Sequence, residues 1–218
     1  MLPLHHRYQP RYMLQENLDE FEIFEEVFSL DWMACEPPTR DLDTLLEELH
    51  TLKGSAFVTQ LKYIVSHKAF TPISGEIGIY SVGGERDADF ENLLNAARKA
   101  VGHGYRVFIL PNPKGIRTAD FIFEKKGNYK MYDLKTIVGK SSAGNRLLES
   151  IGQSNRVLLN IIANYNARVL ASDIKTYFEV NDDAIEVLII KGNKIIPINK
   201  ASVENSNFNR IFRKRYEK

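Results

Sequence analysis

Two aspartates and a lysine lie close together in the stretch TADFIFEKKGNYKMYDLKT, residues 118–136. Two short apolar segments flank a Lys-Lys-Gly-Asn turn, which predicts a β-hairpin. Counting equally in both directions from that turn places Asp120 directly opposite Asp133. Residues two apart in a strand share a face, so Lys135 should lie on the same side as both acids. The pattern therefore predicts three charged side chains on one small patch.

This patch has the groups that phosphodiester hydrolysis requires. Cross-strand neighbours have Cβ atoms about 5 Å apart, and like charges at that distance destabilise a hairpin. A divalent cation held by Asp120 and Asp133 would offset their repulsion, and Mg²⁺ commonly takes one or two protein carboxylates. Such a site activates a water, and Lys135 would stabilise charge developing on the phosphate. Alternatively, Asp133 hydrogen-bonds within the sheet and Asp120 pairs with Arg117 or Lys135, without any metal.

The elements around the hairpin must position these side chains. A capped amphipathic helix, GGERDADFENLLNAARKAVGHG, precedes the strand YRVFILP and the hairpin. After the hairpin, SSAGNRLLESIGQSN reads as a helix that Ser141 or Ser142 caps, and RVLLNII reads as a buried strand. The buried face of the first helix comprises Phe90, Leu93, Leu94, Ala97 and Val101. From Asp87 to Ile162 the order is helix, strand, strand, strand, helix, strand, which predicts an α/β or α+β sheet.

The rest of the chain divides at a Pro- and Gly-containing segment, KAFTPISG. Residues 1–72 read as a helical, acidic N-terminal region, with Asp41 or Asp43 as an N-cap. Residues 73–218 read as one α/β domain that also contains a second hairpin, AIEVLIIKGNKIIPI, and a basic C-terminal helix. The predicted organisation is therefore a sheet domain with an N-terminal helical appendage.

The overall charge of +1 is unevenly distributed along the 218 residues. Glu16–His50 holds twelve acidic residues against Arg40 alone, whereas residues 51–218 carry 26 basic and 16 acidic residues. The second part is basic enough to favour a polyanionic partner. A single cysteine, Cys35, excludes an internal disulfide and a Cys-rich zinc motif. The chain shows no signal peptide and no membrane-length apolar run, so we expect a soluble protein without a membrane partner.

The motif resembles that of the PD-(D/E)xK nuclease superfamily, which has an αβββαβ core. Asp120 matches the acid that opens the second core strand, and Asp133 and Lys135 match (D/E)-x-K in the third. The string GYRVFILPNPKGIRTADFIFEKKGNYKMYDLKTIVGKSS is similar to the C-terminal tRNase toxin domains of CdiA-type contact-dependent inhibition proteins. The resemblance covers about residues 87–162.

The resemblance implies further site residues. It implies a metal-binding acid on the first helix, for which Glu91 is the closest position, with Glu85 and Asp87 as the other acids considered. In relatives that place this acid one turn later, the corresponding residue of this chain is Asn95. Four polar residues at or after the end of the motif are expected to face substrate, although Arg146 and Gln153 would equally fit a solvated helix surface. They are Thr136, Ser142, Arg146 and Gln153.

The resemblance also implies a function. We expect a Mg²⁺-dependent endonuclease that hydrolyses phosphodiester bonds in RNA, with tRNA as substrate and DNA as the other option. A toxin of this kind acts in the cytoplasm, after delivery into a target cell, and has a cognate immunity protein as a partner. The alternative is a catalytically inactive nucleic-acid-binding or phage-structural protein with the same fold. The acidic N-terminal region could mask the basic face, serve delivery, or form a solvated surface.

Overall fold

The protein is a mixed α/β structure built on one large sheet. The computed structural model describes residues 40–83, 88–111, 118–139 and 142–218. Seven α-helices and eight strands lie within these ranges, together with a 3₁₀ turn at Leu49–Thr51. The helices are α1 (Leu42–Glu48), α2 (Gly54–Val65), α3 (Ala88–Gly102), α4 (Ala143–Glu149), α5 (Ala167–Val180), α6 (Lys200–Glu204) and α7 (Phe208–Glu217). The strands are β1 (Phe70–Pro72), β2 (Ile79–Val82), β3 (Arg106–Ile109), β4 (Phe121–Lys125), β5 (Asn128–Ile137), β6 (Arg156–Ile161), β7 (Glu186–Lys191) and β8 (Lys194–Asn199).

The strands lie side by side in chain order, from β1 to β8. The pairs β2–β3, β5–β6 and β6–β7 are parallel, and the other four pairs are antiparallel. As a result β2, β3, β5, β6 and β7 all run in one direction and end at the same edge of the sheet. We call this edge the upper edge. Within the described ranges, no helix combines the length and apolar character needed to cross a lipid bilayer.

The element order predicted between residues 87 and 162 is confirmed. Helix α3 is followed by β3, β4 and β5, then by α4 and β6. Every residue of β6 is buried. This burial is expected for a parallel strand covered on both faces, which needs apolar side chains pointing both ways.

Helix α3 covers one face of the sheet. Its side chains Leu94, Ala96 and Ala97 pack in one apolar cluster with residues of β2 to β7. Phe90, Leu93 and Val101 are only partly buried against this cluster. The predicted inward stripe of α3 is therefore correct in position, and Ala96 and Ala100, which were not predicted, are fully buried in the same cluster.

Helices α1 and α2 pack on the other face, over the half of the sheet that starts at β1. Leu45, Leu46 and Leu61 share an apolar cluster with Phe108 and Ile122 of β3 and β4. The predicted N-cap Asp41 accepts a hydrogen bond from the Thr44 backbone N–H at 3.4 Å. These helices therefore bury the sheet face next to them.

The predicted boundary segment contains a strand that sequence analysis did not anticipate. Pro72 ends β1 and pairs with Tyr80 of β2. Proline has no N–H to donate to a ladder, which confines it in sheets mainly to edge strands. Strand β1 is an edge strand, so its proline is compatible with the sheet.

The remaining half of that face is covered by α4, α5 and α7. Their apolar side chains form one cluster with inward residues of β5 to β8, including Ile137 and Leu159. In α7 the buried side chains are Phe208, Phe212 and Tyr216, which recur every four residues along the helix. The predicted basic C-terminal helix is confirmed, and its polar side chains face outward.

Candidate active site

The hairpin formed by β4 and β5 has the register that the sequence predicts. Phe121 pairs with Tyr132, and Lys125 pairs with Asn128 across the turn. Lys126 and Gly127 both have positive φ, at 53° and 83°. A two-residue type I′ turn requires positive φ at both central positions, so this turn fixes the register.

The first aspartate of the motif lies at the point where β4 begins. The backbone N–H of Asp120 donates to the Tyr132 carbonyl at 3.0 Å, and the backbone carbonyl of Asp120 accepts from the Leu110 N–H at 2.9 Å. Its side-chain Oδ2 accepts from the Leu134 N–H at 2.6 Å. The carboxyl group is thereby held against β5, next to Asp133.

Lys135 and the two aspartates meet as predicted. Lys135 Nζ lies 2.8 Å from Asp133 Oδ2. The side chain of Asp133 is 2% exposed and that of Lys135 is 14% exposed. All three groups interact, since the charge of Lys135 also acts on Asp120. The predicted convergence of these three charges is confirmed.

Burial of this cluster opposes ionisation of its acids. Burial raises the pKa of Asp133 to about 7, even though Lys135 lowers it through a hydrogen bond and its charge. The neighbouring Asp120 carboxyl adds to the increase. Burial also raises the pKa of Asp120, against the lowering effects of the Leu134 N–H and Lys135. One lysine therefore does not compensate two buried carboxylates.

A cleft of about 700 Å³ opens at the upper edge beside this cluster. Its walls come from the ends of β2 and β3, from the start of α3, and from Asp120 and Leu134. Asp89 and Asn92 of α3 also line it. Asp120 thus connects the buried cluster with a space that a substrate can enter.

Sequence analysis missed Asp89 and Asn92. The two residues are three apart on α3, so they share one side of the helix beside its apolar stripe. That spacing was a signal from which they could have been identified. The rotation of α3 about its own axis on the sheet was needed to tell which side of the helix faces the cleft.

The predicted helix acid Glu91 lies elsewhere on α3. Its side chain is 56% exposed, and its Oε2 lies 3.9 Å from Arg98. Glu91 is not among the residues that line the cleft. Asn95 is exposed as well, and Glu85 and Asp87 fall outside the described residues.

Thr136 lies on the opposite face of β5 from Asp133 and Lys135. Its hydroxyl donates to Asn92 Oδ1 of α3 at 3.0 Å. Next to it, Asn160 of β6 pairs with Thr136 in register and accepts a hydrogen bond from Lys99 of α3 at 2.7 Å. These two polar links attach α3 to the strands that carry the cluster, and neither was predicted.

The other three predicted substrate-facing residues lie on or next to α4. Ser142 is the N-cap, and its hydroxyl oxygen accepts from the Asn145 N–H at 3.3 Å. Arg146 pairs with Glu149 at 2.9 Å on the helix surface. Gln153 lines a separate cavity at the lower edge of the sheet, where β6 and β7 begin. None of the three lines the cleft that contains Asp120.

The donor set of the cluster suits a hard cation with few protein ligands. Within the described ranges, no group of three or more His, Cys, Asp or Glu side chains is close enough to hold a metal ion. Asp120 and Asp133 provide two carboxylates, the number that Mg²⁺ commonly takes while retaining several waters. The excess of negative charge over Lys135 also favours a cation there. The residues present therefore fit Mg²⁺.

Comparison with known proteins gives a distant similarity to a solved structure. No protein-family model matches the chain, and no curated protein matches it. The chain is similar to one from a CdiA-CT/CdiI toxin and immunity complex of Burkholderia pseudomallei, at 15% identity and a TM-score of 0.40. The match covers 56% of this chain and 98% of that one. A TM-score below 0.5 does not establish a shared fold, so the proposals below depend on the residues and their geometry.

Proposed function

We propose that this protein is a metal-dependent endonuclease with a PD-(D/E)xK-like core. The observation that carries the proposal is the meeting of Asp120, Asp133 and Lys135 at one buried point beside a cleft. Two buried carboxylates with raised pKa values cost stability. A purely structural hairpin gains nothing from them, whereas a cation site requires them. The order of elements from α3 to β6 further supports a core of this kind.

In this proposal, Asp120 and Asp133 hold a Mg²⁺ ion. When bound, such an ion lowers the pKa of a water and stabilises negative charge on phosphate oxygens. Lys135 stands beside Asp133 and adds a positive charge where the transition state becomes more negative. The cleft admits the phosphodiester from the upper edge, past Asp120.

A third acid from α3 completes the proposed site. The family resemblance implies Glu91, which is exposed and close to Arg98. Asp89 lines the same cleft as Asp120, so we propose Asp89 for this role and retain Glu91 as its competitor. Because Mg²⁺ retains several waters, Asp89 would act through a water ligand. Thr136 and Ser142 would position α3 and α4, and Arg146 would contact substrate at the helix surface.

The substrate assignment rests on the sequence resemblance to CdiA-type tRNase toxins. We propose RNA, and specifically tRNA, as the substrate. The same resemblance supports a toxin that acts in the cytoplasm of a target cell and is neutralised by a cognate immunity protein. A basic composition from residue 51 onward is consistent with a polyanionic substrate.

The competing function is a nucleic-acid-binding or phage-structural protein that has lost turnover. Lys135 argues against it, because binding alone does not need an amine buried beside two carboxylates. The test is incubation of the purified chain with total tRNA and with plasmid DNA, each with Mg²⁺ and with EDTA. Mg²⁺-dependent cleavage of tRNA with intact plasmid supports the proposal. Binding of tRNA without cleavage in the presence of Mg²⁺ would support the competitor.

A further inference from the structure

A second like-charge pair lies across the β7–β8 hairpin. Lys191 is directly opposite Lys194. Like charges in that position destabilise a hairpin unless a counter-charge lies near. Lys191 Nζ lies 3.7 Å from the centre of the Tyr216 ring, and Lys194 Nζ donates to the Tyr216 carbonyl at 3.2 Å. Both lysines therefore contact α7.

Helix α7 extends this positive charge over a larger surface. Arg210, Arg213, Lys214 and Arg215 are all exposed. Arg213 lies 3.6 Å from Glu217, the one acid between Phe208 and Lys218. For the other three basic side chains of α7, no ion pair is formed with any residue in the described ranges. We call the surface formed by Lys191, Lys194, Arg210, Arg213, Lys214 and Arg215 the basic ridge.

The two lysines of the basic ridge, and the end of α7 that they contact, lie at the same edge of the sheet as the candidate active site. Lys191 is in register with Ile161, and Ile161 with Ile137, two residues beyond Lys135. With strands about 4.8 Å apart and a rise of about 3.3 Å per residue, the Cα atoms of Lys191 and Lys135 are about 12 Å apart. Alternation along the strands places both side chains on the same face. A nucleic-acid chain that rises about 3.4 Å per nucleotide covers that distance in about three to four nucleotides.

The ridge borders an opening in the protein surface. A cavity of about 370 Å³ lies beside Lys191 and is lined also by Tyr165, Tyr216 and Glu217. The Tyr165 hydroxyl accepts from the Ala143 N–H at the start of α4, which follows β5. Burial, followed by the charge of Lys194, lowers the pKa of Lys191, against the raising effect of Glu217. Glu217 is the acid that lines this cavity.

We propose that the basic ridge binds the phosphate backbone of the nucleic-acid substrate, three or more nucleotides away from the bond at the candidate active site. This inference rests on the proposed nuclease function for its placement of the reacting phosphate. The ridge provides positive charge, and contacts from arginine and lysine to phosphate oxygens contribute affinity without sequence preference. Its position at the upper edge favours a nucleic acid over an acidic protein as its partner.

The test is a titration of fluorescently labelled tRNA in EDTA with the full-length chain. The test variant is Arg210→Gln with Lys214→Gln and Arg215→Gln, which leaves the buried face of α7 intact. The matched control removes three charges at the lower edge, through Lys53→Gln, Lys126→Gln and Lys200→Gln. Poly-glutamate of similar total charge is titrated in parallel as the protein-like probe. Circular dichroism checks that both variants remain folded.

We expect the ridge variant to bind tRNA about 10- to 100-fold more weakly at physiological salt, with a log–log salt slope shallower by about 2–3. The control should remain within about threefold of the unaltered chain. Equal losses in both variants, or no loss in the ridge variant, would overturn the proposal. Lost poly-glutamate affinity with retained tRNA affinity would assign the ridge to an acidic protein instead. Cleavage by the unaltered chain is measured separately. If the unaltered chain does not cleave tRNA but the ridge variant still binds it more weakly, only the nuclease function is contradicted. If the unaltered chain cleaves tRNA but the ridge variant binds it normally, only the ridge proposal is contradicted.

Discussion

The Nζ atom of Lys135 lies 2.8 Å from Oδ2 of Asp133, and this ion pair is almost completely buried. The cluster of three residues carries more negative than positive charge when both acids are ionised, because Asp120 adds a second carboxyl group beside this pair. Breaking a buried ion pair usually destabilises a protein by several kcal/mol, since one charge remains uncompensated. Here the excess charge is present in the intact protein, so the site is arranged for a further cation.

The raised pKa of Asp133 predicts a pH-dependent cost in stability. The unfolded chain ionises Asp133 near pH 3.9, whereas the folded chain holds its proton up to about pH 7. Between these values the folded state binds more protons, so this group lowers the free energy of unfolding as pH rises. Asp133→Asn should therefore stabilise the metal-free protein at pH 8, by up to about 4 kcal/mol, and not below pH 4.

Urea unfolding of both chains in EDTA between pH 4 and pH 8 measures this difference. Asp183→Asn, at an exposed acid on the lower edge, is the matched control. A constant difference for Asp133→Asn would show that Asp133 ionises normally in the folded protein.

Lys135→Ala should separate metal binding from turnover. The two carboxylates remain, so Mn²⁺ titrated by calorimetry at pH 8 should still bind. The rate of tRNA cleavage should fall by about 100- to 1,000-fold, because one preorganised positive contact to the transition state is lost. Lys68→Ala, at an exposed lysine, should cleave at the normal rate. If Lys135→Ala is equally fast, Lys135 has no part in the reaction.

Two acids on α3 compete for the third place in the site. Asp89→Asn should reduce cleavage by about 10- to 100-fold, the usual effect of losing a group that orients metal ligands. Glu91→Gln should retain activity, because Glu91 lies by Arg98 and outside the cleft. Rates for the two variants at saturating Mg²⁺ provide the comparison. The opposite pattern would restore Glu91 as the ligand that the family resemblance implies.

The N-terminal helices should be needed for folding, although sequence analysis treated residues 1–72 as a separate region. A chain that starts at Arg40 retains α1 and α2 and serves as the reference. A chain that starts at Phe70 exposes Phe108 and Ile122, which pack against α1 and α2. Each large apolar side chain so exposed costs about 1.5–3 kcal/mol. Thermal melts compare the two, and a stable chain from Phe70 would support the boundary at residue 72.

Local patterns in the sequence were sufficient for the hairpin and the order of elements. The Lys-Gly turn fixes the pairing of β4 with β5, and alternation then brings Asp120, Asp133 and Lys135 together. The same alternation places Thr136 on the opposite face of β5, where the structure shows its bond to Asn92. The sequence therefore contained the information that Thr136 faces away from the charged cluster.

Relationships between distant elements could not be predicted in the same way. The choice between Asp89 and Glu91 depends on how α3 is rotated on the sheet, which is determined by packing of its alanines and not by the local pattern. Gln153 lines a lower-edge cavity because α4 ends before it and the chain then returns to start β6. Strand β1 was missed because a proline normally argues against a strand, and β1 accommodates Pro72 only because it is the edge strand beside β2.

The most direct measurement for the nuclease proposal is the rate of tRNA cleavage by the unaltered chain and by Asp133→Asn, each with Mg²⁺ and with EDTA at pH 8. The proposal predicts cleavage only by the unaltered chain and only with Mg²⁺, while both proteins remain folded by circular dichroism. Asp183→Asn should match the unaltered chain in both conditions. Equal cleavage by Asp133→Asn, or cleavage that persists in EDTA, would contradict the assignment of Asp120 and Asp133 as the metal-binding acids of a nuclease.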